Sequence, residues 1–272
     1  MPESDPPPAT TDVMAQPEVR REPQVPSPPV GNEDVNWDTF ESDDYFEHNY
    51  GQLRWDDAEI IRIIADYFRS NPPREFGEAI DVGTGTNFYP SLTMLPYAGR
   101  VTMYERAFTN RTWLEKALKA PQHSWTEFWE AISKGRSSYD RIGRPFELLA
   151  DRADVVKGNV FELERDRYDL GTMFFVAESI TTRDAEFARA ARKFVVSLKP
   201  GAPFAAAFMR NSSGYIVGDQ FFPACSVSEA DVEEALAPVA RRVEIRSVES
   251  NDLRDGYCGM MVATGRSWRK PS

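Results

Sequence analysis

Glu78-Ala79-Ile80-Asp81-Val82-Gly83-Thr84-Gly85-Thr86-Asn87-Phe88-Tyr89-Pro90 is the stretch whose reading decides the fold. Ala79, Ile80 and Val82 supply an apolar strand, Gly83 and Gly85 permit positive φ and close backbone approach, and the chain can reopen as a helix beyond them. A strand, a glycine turn and a helix N-terminus together make a ledge that presents backbone N–H groups to a ligand at the edge of an α/β sheet. The residues after Gly85 separate the ligand classes that use such a ledge. A dinucleotide turn needs glycine at position 88, where this chain has Phe88, and a phosphate loop needs a Gly-Lys-Ser/Thr that does not follow.

Two readings of the turn remain. One is the Asp-x-Gly-x-Gly turn that holds the methionine portion of S-adenosylmethionine; the other is a tight strand-to-helix connection with no ligand. The second strand, Arg100 to Glu105, favours the first. Glu105 lies about twenty residues beyond the glycines, where a carboxylate at a strand end can accept hydrogen bonds from both ribose hydroxyls of a nucleoside. After a third strand, Ala153 to Val156, Asn159 and Val160 stand where an amide can pair with the adenine edge and an apolar side chain can cover its face. A fourth strand, Tyr168 to Val176, is almost continuously apolar, as for a strand covered on both faces. A helix over Arg183 to Leu198, a fifth strand over Phe204 to Phe208, a helix over Ser228 to Ala237 and two closing strands, Arg241 to Val248 and Tyr257 to Ala263, complete the alternation. The predicted fold class is α/β: a doubly wound, seven-stranded Rossmann-like sheet of order 3-2-1-4-5-7-6 with strand 7 antiparallel.

Composition narrows the partners. Lys+Arg 32 against Asp+Glu 43 leaves a formal net charge of -11, a poor match to nucleic acid, whose phosphates need clustered Lys and Arg; a small-molecule partner is expected. Cys225 and Cys258 are too few for a disulfide framework or a zinc site, and both are expected reduced in a cytoplasmic protein, with no bound metal and no membrane span. Residues 1–36, with Pro6-Pro7-Pro8 and Pro28-Pro29 among polar residues, are expected to form a disordered proline-rich tail. Residues 37–272 are expected to form one domain. It opens with an aromatic lid over 37–70, in which Tyr45 and Tyr50 either close over a ligand or pin an N-terminal helix to the core. Within that span Asp56 to Phe68 carries Ile60, Ile61, Ile63, Ile64, Tyr67 and Phe68 at helical spacing, with Asp56 and Asp57 in the first turn, where they suit the helix dipole. Residues 121–152 depart from the alternation and read as a helical insertion.

These features resemble the class I methyltransferases of the nicotinamide N-methyltransferase, phenylethanolamine N-methyltransferase and indolethylamine or thioether S-methyltransferase group. The likeness spans roughly Asp43 to Arg266. It rests on Tyr45 with Tyr50, the turn Asp81 to Tyr89, Glu105 with Asn110, Asn159-Val160, Leu198-Lys199-Pro200-Gly201, and above all Asn211 to Phe222 with Ser212-Ser213, Tyr215, Gly218 and Gln220. It implies S-adenosylmethionine as cofactor, S-adenosylhomocysteine as product and a small-molecule acceptor, in a monomer or weak homodimer. By resemblance, Tyr45 and Tyr50 cover the cofactor, and Gly83, Thr84, Gly85, Asn87 and Tyr89 form the turn that holds its amino-acid part. Glu105 stands where the family has a ribose-binding aspartate, with Asn110 near it. Asn159 replaces the adenine-pairing aspartate beside Val160, and Phe174 touches the cofactor from the end of strand four.

The departures bear on the acceptor. Family amine methylators hold their substrate with an acid at the end of strand five, where this chain has Phe208, so a neutral, flat heteroaromatic acceptor is expected. Glu178 either compensates in part or is a solvated strand-end charge. Methyl transfer is a direct displacement that needs alignment first; should a proton have to leave, Glu178, Tyr215, His48 and Asp219 are the candidates, with Glu178 and Tyr215 taken as catalytic and Phe208 and Asp219 as substrate-facing. The alternative is a catalytically silent methyltransferase-like scaffold that works through protein partners.

Overall fold

Ile80 and Val82 point to one side of the first strand and Ala79 to the other, so that strand must be covered on both faces. The computed structural model describes residues 28–249 and 259–270. β1 (Gly77–Val82) pairs in parallel with β2 (Ala98–Glu105) and with β4 (Leu170–Phe174). β3 (Ala153–Lys157) extends the sheet beyond β2, and β5 (Pro203–Met209) beyond β4, both parallel. β6 (Tyr215–Val217) and β7 (Gln220–Phe222) form a separate two-stranded hairpin. β8 (Ala240–Val248) and β9 (Met260–Ser267) close the sheet, with β9 antiparallel to both β5 and β8. The order is β3-β2-β1-β4-β5-β9-β8. That is the predicted seven-stranded order with the hairpin strands left out of the count. Tyr257 and Cys258, assigned from sequence to the last strand or its start, lie outside the described residues.

Helices cover both faces. On one lie α1 (Ser42–Tyr50), α2 (Trp55–Ser70), α3 (Tyr89–Met94), α4 (Phe108–Lys119), α5 (Trp125–Ser133), α6 (Ser137–Asp140) and α7 (Pro145–Arg152); on the other lie α8 (Asp184–Ser197) and α9 (Glu229–Leu236). α2 shows why the sequence folds this way: Ile60, Ile61, Ile64 and Phe68 are completely buried, and burying each such side chain contributes about 1.5–3 kcal/mol. This helix is therefore part of the core, and the aromatic cover expected over 37–70 narrows to residues before Gly51. Residues 121–152 hold α5, α6 and α7, whose Trp125, Phe128, Ile132, Tyr139 and Leu149 join the same core as α2 and α3.

The N-terminal boundary also moves. Residues 28–36 were expected to belong to the tail, yet they dock on the start of α8. Val30 N–H donates to Thr182 Oγ1 at 2.8 Å, Asn32 N–H donates to Glu186 Oε2 at 2.9 Å, and Arg183 bridges to Asp34 at 3.0 Å. Proline-rich composition pointed to disorder, but it could not register partners waiting some 150 residues away.

Candidate active site

The glycine turn is built as a brace. Gly83 and Gly85 sit at φ 64° and 60°, the left-handed region that favours glycine. Gly83 N–H donates to the Tyr104 carbonyl at 2.7 Å, and Gly85 N–H donates to Glu105 Oε2 at 2.8 Å. The other oxygen of Glu105 accepts from Ala107 N–H at 2.8 Å. One carboxylate thus ties the turn to the end of β2. Burial pushes the Glu105 carboxyl up, while the Ala107 and Gly85 N–H groups and the Asn110 side chain favour its charged form. Asn110 in turn accepts from Ser42 Oγ at 2.7 Å, which anchors the start of α1. Beneath the turn, Asp81 takes Thr172 Oγ1 at 2.7 Å and Ser91 Oγ at 2.8 Å, and burial pushes it up to about 7.

Above this brace opens a cavity of about 110 Å³. Gly83, Thr84, Gly85 and Asn87 form its floor, Glu105 and Asn110 one wall, Asn159 and Val160 a second, and Tyr45, Tyr50 and Phe174 face it from the remaining sides. Among the twelve residues expected to touch a cofactor, Tyr89 is the exception. It is completely buried, stacked on Phe128 with ring centroids 5.9 Å apart, and edge-on to Phe174. Its position begins α3, so its side chain turns into the core while the Asn87 side chain accepts its N–H at 3.0 Å.

The chemistry of the cavity suits S-adenosylmethionine. Thr86 Oγ1 is buried at its edge without a hydrogen-bond partner, an orphan group that a polar ligand would satisfy. A Cβ on Gly83 would stand 2.5 Å from Val176 Cγ2, so only a bare backbone fits there. Asn159 Oδ1 already accepts from Phe161 N–H at 3.1 Å and from Asn32 Nδ2 at 3.3 Å, which leaves its own amide N–H₂ to offer the cavity. Asn32 and Trp37 line the cavity as well, and Trp37 Nε1 donates to Asn32 Oδ1 at 3.0 Å. Neither was singled out in the sequence as a cavity-lining group, Asn32 because it was assigned to the tail.

A second cavity, of about 90 Å³, adjoins the first. Tyr45, Tyr50, Phe175, Ser179 and Tyr215 line both. Phe175 was not singled out from sequence, yet it holds φ 58°, an outlier for a bulky residue and the kind of strain that collects at functional sites. Tyr215 stacks on Phe222 at 5.5 Å and donates to the Ser179 carbonyl at 3.3 Å. Met209 and Met260 complete the apolar part of the wall; Arg54, Asp56 and Asp57 bring charge to it.

Besides Tyr89, four expected residues, Phe208, Glu178, Asp219 and His48, are absent from both cavities. Phe208 shares a face of β5 with Phe204 and Ala206, packs edge-on against Phe187 of α8 at 5.9 Å and is completely buried. Strand alternation is the reason: the side chain that reaches the second cavity is the next one, Met209. With that, the ground for expecting a neutral acceptor falls. Glu178 is also completely buried, with Oε1 accepting from Met209 N–H at 2.8 Å and its carbonyl accepting from Cys225 N–H at 2.7 Å. Burial pushes its carboxyl up to about 7 against the pull of the Met209 N–H, so it is a tether between the ends of β4 and β5 and touches neither cavity. Asp219 is exposed at the turn of the β6–β7 hairpin. His48 lies on a separate groove beside that hairpin. No helix among the described residues is long and apolar enough to cross a membrane, and no group of His, Cys, Asp or Glu among them could hold a metal ion.

Solved structures share this architecture. A methyltransferase from Leishmania major that uses S-adenosylmethionine superposes with a TM-score of 0.54 at 13% identity, covering 85% of this chain and 79% of its own. One from Methanosarcina mazei gives 0.51 at 12% identity, covering 75% of this chain and 98% of its own. The [4+2]-cyclase SpnF gives 0.50 at 14% identity, covering 78% and 81%. At such identities the likeness establishes the fold alone, and the cyclase illustrates that this fold does not dictate one reaction. A comparison with curated protein sequences finds no match. The model of the NNMT/PNMT/TEMT family matches residues 30–265, from just before Asn32 to the end of the sheet, so the chain belongs to that family of S-adenosylmethionine-dependent methyltransferases.

Proposed function

We propose that the protein methylates a small-molecule acceptor seated in the second cavity while the first holds the cofactor. The observation that carries this reading is the shared wall: Tyr45, Tyr50, Phe175, Ser179 and Tyr215 face both spaces, so a ligand in one meets a ligand in the other. S-adenosylmethionine, when bound, supplies a methyl group on a positively charged sulfur. The chain's own work is to orient and enclose. The glycine turn and Glu105 fix the backbone around the first cavity, the Asn159 amide is offered to an adenine edge, and Thr86 Oγ1 has a hydrogen bond to gain. The tyrosines of α1 and the β6–β7 hairpin screen the shared wall from water. Holding two reactants in line supplies a large part of the acceleration of a displacement of this kind.

An acidic net charge supports a small acceptor over a nucleic acid, whose phosphates it repels. The experiment is calorimetric titration with S-adenosylmethionine and S-adenosylhomocysteine, followed by an acceptor screen read by mass spectrometry for a gain of one methyl. Micromolar binding of both and a methylated small molecule are expected. Absence of binding of either would sink the reading.

A further inference from the structure

The second cavity carries charge that a purely apolar acceptor would not use. Asp56 and Asp57 stand in the first turn of α2, 2% and 6% exposed, and both line the cavity. Their position in the sequence suits a helix dipole, but a dipole is served equally well from the surface, without the cost of burying two carboxylates. Arg54 Nε lies 3.7 Å from Asp56 Oδ1, and Asp57 N–H donates to that same oxygen at 2.9 Å. No cationic side chain among the described residues forms an ion pair with Asp57. The groups that face it are Asp56 and Arg54 from the start of its own helix and the Tyr89 hydroxyl from α3. Burial, and then the Asp56 carboxylate, push Asp57 up to about 7, against the pull of Tyr89 and Arg54. Phe175, Met209 and Met260 line the same cavity. The cavity wall therefore joins large apolar side chains to two buried carboxylates, with Arg54 as the one cation on it among the described residues.

We infer that Asp57 is the residue that selects the acceptor, holding a cationic nitrogen of it while Phe175, Met209 and Met260 cover its apolar body. This rests on the two-cavity reading above. A buried carboxylate left without a cation is costly, and a ligand ammonium placed against it recovers that cost while forming charge-assisted hydrogen bonds. Charge selection thus sits at the start of α2, not at the end of β5, where Phe208 turns away. An ammonium nitrogen has no lone pair with which to attack, so the group held at Asp57 is a handle, and the methylated atom lies elsewhere on the acceptor.

The test uses the full chain saturated with S-adenosylhomocysteine and two probes of nearly equal size, benzylamine and benzyl alcohol, titrated by calorimetry. At pH 8 the amine, a cation, is expected to bind at least tenfold more tightly than the alcohol. That preference is expected to shrink towards pH 5.5, as Asp57 takes up a proton, and to vanish in Asp57→Asn with S-adenosylhomocysteine affinity unchanged. Equal binding of the two probes, binding of neither, or a preference that survives in Asp57→Asn would overturn the assignment. The pH series on the unaltered protein gives the answer even where the variant folds poorly. Failure of the unaltered protein to bind S-adenosylhomocysteine would bring down the two-cavity reading itself; retained binding without the amine preference would bring down only the role of Asp57.

Discussion

Gly83 and Gly85 share a left-handed backbone but not the cost of replacement. At both, alanine pays about 1–2 kcal/mol for its conformation. At Gly83 the new Cβ also meets Val176 Cγ2 at 2.5 Å, whereas at Gly85 nothing lies nearer than the Gly83 carbonyl at 3.8 Å, so overpacking adds about 1–3 kcal/mol at the first position only. Thermal denaturation of Gly83→Ala and Gly85→Ala checks this, with the first expected to melt several degrees lower than the second. Glu105→Ala removes the acceptor of two backbone N–H groups, Gly85 and Ala107, each worth about 1–3 kcal/mol when left buried and unpaired. It is expected to lower the melting temperature and weaken S-adenosylhomocysteine at least tenfold by calorimetry; unchanged affinity would remove Glu105 from the cofactor site. Both glycines and Glu105 were legible in the sequence, because turn chemistry and the strand-end position of an acid are local properties. Phe208 was misread for a different reason. Which of two neighbouring side chains on a strand reaches a cavity depends on the face that the sheet turns towards it, and a one-residue step reverses the answer.

Among the elements, the segment 28–36 shows how a cavity wall can be recruited from sequence that looks like linker. Its hydrogen bonds to Thr182, Glu186 and Arg183 place Asn32 against Asn159 and beside Trp37. Removal of residues 1–36 is expected to weaken S-adenosylhomocysteine at least threefold relative to removal of residues 1–27, by titration of the two truncated proteins; equal affinities would show that Asn32 contributes nothing. The β6–β7 hairpin belongs to the same cover. Gly218 N–H donates to Asp44 Oδ2 of α1 at 3.0 Å, and Phe222 packs on Phe40 at 5.2 Å and on Trp37 at 5.6 Å. The residues of that hairpin carried the family resemblance, but three-residue strands are too short for a periodic pattern to reveal. The aromatics of α1 were read as either a lid or an anchor. Phe46 packs on Trp113 and Trp125 within the core and Tyr45 lines both cavities, whereas Tyr50, on the same face as Phe46, packs on Trp125 and lines both cavities as well, so it serves as anchor and lid together.

For the molecule as a whole, buried carboxylates tie stability to pH. Asp57, Asp81 and Glu178 are each pushed up to about 7 by burial in the folded chain, from the ordinary carboxylate range near 4. Between those values the folded state holds protons that the unfolded chain has released, so stability is greatest at the acidic side of the window and falls as pH rises through about 7. A melting temperature that declines from pH 5.5 to 8 is expected from this contribution. Glu178→Gln, which keeps an acceptor for Met209 N–H and has nothing to ionise, is expected to flatten the decline, as differential scanning fluorimetry across the series would show; an unchanged slope would mean that Glu178 does not titrate in this range. What the sequence settled alone was the alternation of strands and helices, the strand order that follows from it, and the glycine turn with its acid, because each is written in residues close together along the chain or in a repeating pattern. Which side of β5 meets the second cavity, that Asn32 lines the first, and that the two aspartates of α2 line a cavity instead of facing water came only with folding. Each depends on segments far apart in the chain coming to lie side by side, and nothing in local composition encodes that proximity.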